Sequence, residues 1–203
     1  MGAASGPENG LDAVPDFTLA IKGSHSILAG GIFHLGGVLR HLDVDNSANP
    51  GLSTDTATGY HITAGLTLGI TESTKIGLQG NFGDGNGRYI QFGGTAAATG
   101  NAGQLDTLRQ AGVLGWIQHK WSDNLQSNLV GGHYMNLEGS ISSEGTALGA
   151  SVRTEQYAAV NLIYSPRGNI NLGIEGSYIR NSFTNGLANA DHFRIQTSLQ
   201  FAF

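Results

Sequence analysis

The chain has no cysteine, which excludes a disulfide scaffold and any zinc or iron–sulfur site built on thiolates. Charge is scarce as well. Asp, Glu, Lys and Arg make up 12% of the 203 residues, about half the roughly 25% of ordinary soluble domains. Scarce charge excludes intrinsic disorder, which needs a highly charged and poorly apolar composition. Long greasy runs are missing too, since nothing approaches the ~18 uninterrupted apolar residues of a helical membrane span. A net charge of −5 argues against a general nucleic-acid binder. No basic segment followed by an apolar one opens the chain, so no signal peptide is expected within it. Residues 1–15, rich in Gly, Pro, Ser and Asn, read as a flexible linker, and 16–203 as one domain.

What the chain has in quantity is alternation. At the C-terminal end Phe193, Ile195, Thr197, Leu199, Phe201 and Phe203 take one parity. Arg194, Gln196, Ser198, Gln200 and Ala202 take the other. The same period of two runs through 17–21, 60–70, 76–82, 125–137, 155–164 and 170–178. A period of two marks strands, and no stretch has the 3.6 period of a helix. Two segments are ambiguous: 27–42 is apolar on both faces, and 108–121 has large residues at both parities. The expectation is about nine strands of roughly 10–13 residues, where a transmembrane strand needs ~9–11.

Connections alternate in length. Short ones fall near 23–26, 71–73, 122–124 and 165–169, and long ones near 43–57, 83–106, 138–151 and 181–191. Short turns on one side and long loops on the other are the arrangement of an outer-membrane barrel, an antiparallel up-and-down sheet with lipid on one face and a polar lumen on the other. A β-sandwich would not sort its loops in this way. Trp121, Tyr164, Phe201 and Phe203 fit an aromatic girdle beside the short turns, and Tyr60, Phe82 and Tyr178 one beside the long loops.

The chain resembles the DcaP-like porins. The resemblance rests on Val14-Pro-Asp-Phe-Thr-Leu19, the Gly-Val-Leu-Arg run ending at Arg40, Gly85-Asn-Gly-Arg-Tyr-Ile90, Gln118-His-Lys-Trp-Ser-Asp-Asn-Leu-Gln-Ser-Asn128, Val160-Asn-Leu-Ile-Tyr-Ser-Pro166, Leu172-Gly-Ile-Glu175 and Arg194-Ile-Gln196. It spans nearly the whole chain after residue 13. The terminal aromatic strand, with Phe201 and Phe203, is similar to the signal read by the barrel-assembly machinery. The resemblance implies a trimeric porin of about sixteen strands, of which this chain corresponds to the C-terminal half, and diffusion of small anions, dicarboxylates among them. A complete eight-stranded barrel with a structural or adhesion role is the alternative. Nine crossings argue against it, because natural single-chain barrels have an even strand number. The lumen side is also set with small residues (Gly65, Gly69, Gly77, Gly132, Gly173) that suit a wide bore.

Selectivity in a pore comes from charged rings. By strand parity Lys22, Arg40, Lys75, Arg153 and Arg194 face the lumen, together with Glu155 and Glu175. Arg88 and Arg109 flank the longest loop, a candidate constriction loop. The seven histidines show no i, i+4 ligand pair, and Gly83-Asp-Gly-Asn-Gly87 reads as a turn, so no metal or other cofactor is expected. No local motif joins a nucleophile to a base, so no enzyme is expected.

Overall fold

A computed structural model describes residues 14–25, 31–44, 55–89, 98–101, 104–137, 152–183 and 188–201. The alternating segments are strands: β1 (Phe17–His25), β2 (Gly31–Val44), β3 (Asp55–Gly69), β4 (Thr74–Asp84), β7 (Arg109–Ser122), β8 (Leu125–Asn136), β9 (Val152–Arg167), β10 (Ile170–Phe183) and β11 (Ala190–Phe201). They form one 9-stranded antiparallel sheet, each strand beside the next in that order. A separate hairpin, β5 (Ala98–Asn101) and β6 (Gln104–Thr107), lies within the β4–β7 connection. The helical content of the described residues is one 3-10 turn, Gly87–Tyr89.

The short connections are built from turn chemistry. Asp123 and Asn124 join β7 to β8, and Gly168 and Asn169 join β9 to β10. Between β3 and β4 the Ile70 N–H donates to Thr74 O at 2.8 Å, and the Ser73 N–H to Thr71 Oγ1 at 3.2 Å. Gly23, Ser24 and His25, expected in a turn, end strand β1 instead; residues 26–30, 45–54, 90–97, 102–103, 138–151 and 184–187, which carry the rest of the expected connections, lie outside the described residues, as do 1–13, Ala202 and Phe203.

Register decides which side chains share a face, because a slip of one residue would turn every side chain over. On one face Leu68, Ile76, Ile117, Leu129, Val160, Gly176 and Ile195 form a single transverse row. Leu129, Val160 and Ile195 are 55%, 56% and 66% exposed. A continuous exposed apolar face of this extent is foreign to a water-soluble monomer and suits hydrocarbon. Tyr60, Phe82, Tyr164, Tyr178 and Phe201 share it, with Trp121 at the short-turn end. The opposite, polar face carries Lys22, His34, Gly65, Gln79 and Leu114 in one row.

The two ambiguous segments are β2 and β7. Each puts apolar side chains on the polar face, some buried and some, like Ile32 and Trp116, exposed or half-exposed. Leu42 is 5% exposed, and the Trp116 ring lies over Gly77.

The sheet is open. With nine antiparallel neighbours in sequence, the edge strands β1 and β11 run in the same direction, from the long-connection side to the short-turn side. Each leaves one row of backbone groups without a strand partner in the sheet. In hydrocarbon such edges do not persist, because each unbonded N–H or C=O costs several kcal/mol.

Candidate functional site

The polar face carries two constructions. The first fastens the start of the β4–β7 connection onto β1, β2 and β3. Gly85 leaves β4 with φ 64°, a left-handed conformation that glycine adopts without strain. A Cβ on Gly59 of β3 would stand 2.8 Å from Gly85 O, so glycine at 59 is what lets the turn lie this close. Arg40 on β2 donates from Nη1 to Gly85 O at 2.9 Å. Its Nε sits 3.2 Å from Asp16 Oδ2, with side-chain exposures of 6% and 15%. That is an ion pair in distance, but the N–H is not aimed at the oxygen, and Nε makes no hydrogen bond.

Tyr89 closes the assembly. Its hydroxyl donates to Asp16 Oδ2 at 2.7 Å, its ring lies 5.5 Å from Arg40 Cζ, and it stacks on His61 with ring centroids 6.1 Å apart. Asn86, wholly buried, places Nδ2 3.3 Å from His61 Nδ1. With the amide nitrogen as donor, His61 Nδ1 is the acceptor. Residues 85–89 therefore fold inward over the polar face. Beneath Tyr89 lies a cavity of about 370 Å³ lined by Thr18, Thr63, Gln79, Asn81, Leu114 and Tyr134 among others.

The second construction is a side-chain ladder across β7, β8, β9 and β10. Gln118 Nε2 donates to Asn128 Oδ1 at 3.1 Å, Asn128 Nδ2 to Asn161 Oδ1 at 2.7 Å, and Asn161 Nδ2 to Glu175 Oε2 at 3.3 Å. An ionised carboxylate only accepts. Glu175 thus dictates that Asn161 presents its nitrogen, and the two preceding amides are oriented in turn. Lys75 stands opposite Gln118 on β4, and Gln196 opposite Glu175 on β11.

The charged residues singled out from the sequence separate by burial. Lys22, Lys75, Arg153 and Arg194 are exposed at polar-face parity, and Glu175 is half-buried. Glu155 is 8% exposed, and Arg40 is buried against Asp16. Arg109 has the parity of Ala111 and Val113, on the apolar face, and reaches Asp84 at 3.8 Å. The Arg88 side chain lies outside the described residues. Parity reasoning missed Lys120, exposed on the polar face opposite Gln126, because it lies in the ambiguous 108–121 segment. It also missed Tyr89, Asp16 and Asn86, whose partnership depends on how the connection folds.

No protein-family model matches the chain. No curated protein matches it either. A solved structure does: the outer membrane channel DcaP of Acinetobacter baumannii superposes with a TM-score of 0.80 over 94% of this chain, at 18% identity. The chain has the fold of an outer-membrane channel. It spans about half of that neighbour, 52% of its length. A nine-stranded antiparallel up-and-down sheet with this likeness has the architecture of a porin-type barrel wall.

Proposed function

We propose that this chain forms part of the wall of a water-filled channel in the bacterial outer membrane, through which small solutes diffuse with a preference for anions such as dicarboxylates. The observation that carries the preference is the inventory of the polar face. Lys22, Lys75, Lys120, Arg153 and Arg194 are exposed on it. Against them stand Glu175, half-buried, and Glu155, buried, while Asp16 is occupied by Arg40. Charges within a Debye length of a solute, ~10 Å at 0.1 M salt, dominate its energy, so the net −5 of the whole chain matters less than this local excess.

Closure follows from strand direction. Pairing β1 with β11 directly would make a parallel seam. An added set of up-and-down strands with an odd count starts and ends antiparallel to both edges, and so satisfies every backbone group. The remaining strands of a longer barrel, of which this chain is the C-terminal half, fit that requirement. The partners of the assembled protein are outer-membrane lipid, the barrel-assembly machinery and two further copies in a homotrimer.

The test is a reversal potential across a planar bilayer in a salt gradient. Anion preference at low salt that fades as salt rises is the expected result. A cation preference, or the absence of conductance from the closed barrel, overturns the reading.

A further inference from the structure

Trp116 rests on the polar face directly over Gly77, its opposite across β4 and β7. Three atoms of the six-membered ring crowd the point where a Gly77 Cβ would stand. That is face-on contact, so one face of the indole packs on the β4 backbone and the other fronts the open side of the sheet. The next row toward the short turns is the ladder, whose amides are aligned by Glu175.

Each ladder amide spends one N–H and one carbonyl lone pair on its neighbour at most, and keeps a second of each. Free donors and acceptors therefore repeat at the strand spacing, about 4.8 Å. Beside them lies an aromatic face whose negative quadrupole attracts C–H groups. The middle of the ladder carries no charge. Lys75 and Glu175 stand at its two ends with opposite sign, and Arg194 lies one row away on β11, in the row of Trp116. A solute that matches has C–H on the faces of a ring and hydroxyls, each both donor and acceptor, around its edge. We propose that Trp116 with Gln118, Asn128 and Asn161 forms a binding site for an uncharged cyclic polyol, a sugar ring. This goes beyond the anion preference proposed above and does not require an open bore.

The chain has two tryptophans, so Trp121→Phe leaves Trp116 as the sole indole reporter. The full chain carrying that substitution, refolded in a sugar-free zwitterionic detergent, is titrated with glucose, maltose and, separately, succinate while Trp116 emission is followed. The expected result is a saturable change with the sugars, half-complete on the order of millimolar, the range of a few-contact small ligand, and none with succinate. Asn161→Leu interrupts the ladder and should weaken the sugar response about tenfold, the effect of stranding half-buried hydrogen-bonding groups. Glu175→Gln keeps the shape but frees the amide directions, and should weaken it several-fold. Lys22→Ala, at the far side of the sheet, should leave it unchanged. A flat sugar titration, an equal response to succinate, or full sugar affinity in both ladder variants overturns the site. Because emission is read without conductance, loss of the sugar response with anion preference intact refutes this site alone.

Discussion

Two ends of one polar face have opposite fates. Asp16, just before β1, Arg40 on β2 and His61 on β3 lie under the 85–89 turn, paired or stacked. On β11 the same parity carries His192, Arg194 and Gln196, all exposed. The alternation is equally regular at both ends. The difference lies in cover: parity chooses the face, the 85–89 turn shields one end, and β11, an edge strand exposed on both faces, has no such shield among the described residues. An arginine under the turn is a fastening, and one exposed on the edge strand meets solvent.

The comparison breaks hardest at Arg40. Arg40→Ala leaves Asp16, 15% exposed, without its cation and removes the anchor at Gly85, at a cost of about 3 kcal/mol. Denaturant unfolding of the refolded chain measures this, and protease cleavage near residue 89 should appear in the folded protein. Tyr89→Phe takes only the hydroxyl from Asp16, a hydrogen bond to a charged group worth about 1.5–3 kcal/mol, and keeps both ring contacts. A loss as large as that of Arg40→Ala would mean that the tyrosine, not the arginine, is the fastening. Gly77→Ala forces the Trp116 ring off β4 and should cost about 1–3 kcal/mol with an altered emission spectrum. Gly131→Ala, where a Cβ meets nothing within 4 Å, is its neutral counterpart. Arg194→Ala should change stability by less than about 0.5 kcal/mol, as substitutions at open sites do. Its signature is electrical: a reduced anion preference in the reversal potential. Arg40→Ala, by contrast, acts on that preference through the loop.

Much of the sheet was legible in the sequence because period-two alternation is local. The β10 and β11 faces could be read residue by residue, and the short turns fell where Asp, Asn, Gly and Ser cluster. The 27–42 and 108–121 segments resisted because Ile32, Leu42 and Trp116 set apolar side chains on the polar face, Leu42 buried beside Gly85 and Trp116 laid over Gly77, so the binary pattern lapses there. The nine-stranded count made an eight-stranded barrel unnecessary. The ladder is a different case. That Asn128, Asn161 and Glu175 share a parity is readable, but that they meet depends on register between strands more than ten residues apart in sequence. Tyr89 lies in the Gly85–Ile90 segment, yet its bond to Asp16 joins positions 73 residues apart and carries no local signal.

Strand stagger gives the transverse row from Lys75 to Gln196, which holds the amide ladder, a pitch. Its member on β4, Lys75, is the second residue from the short-turn end, whereas Gln196 on β11 is the sixth. At about 3.3 Å per residue the row climbs roughly 13 Å while crossing about 24 Å of sheet. A horizontal collar of amides would detain a solute at one depth. An inclined row is a spiral stair: to cross the sheet along it is also to move toward the long-connection side.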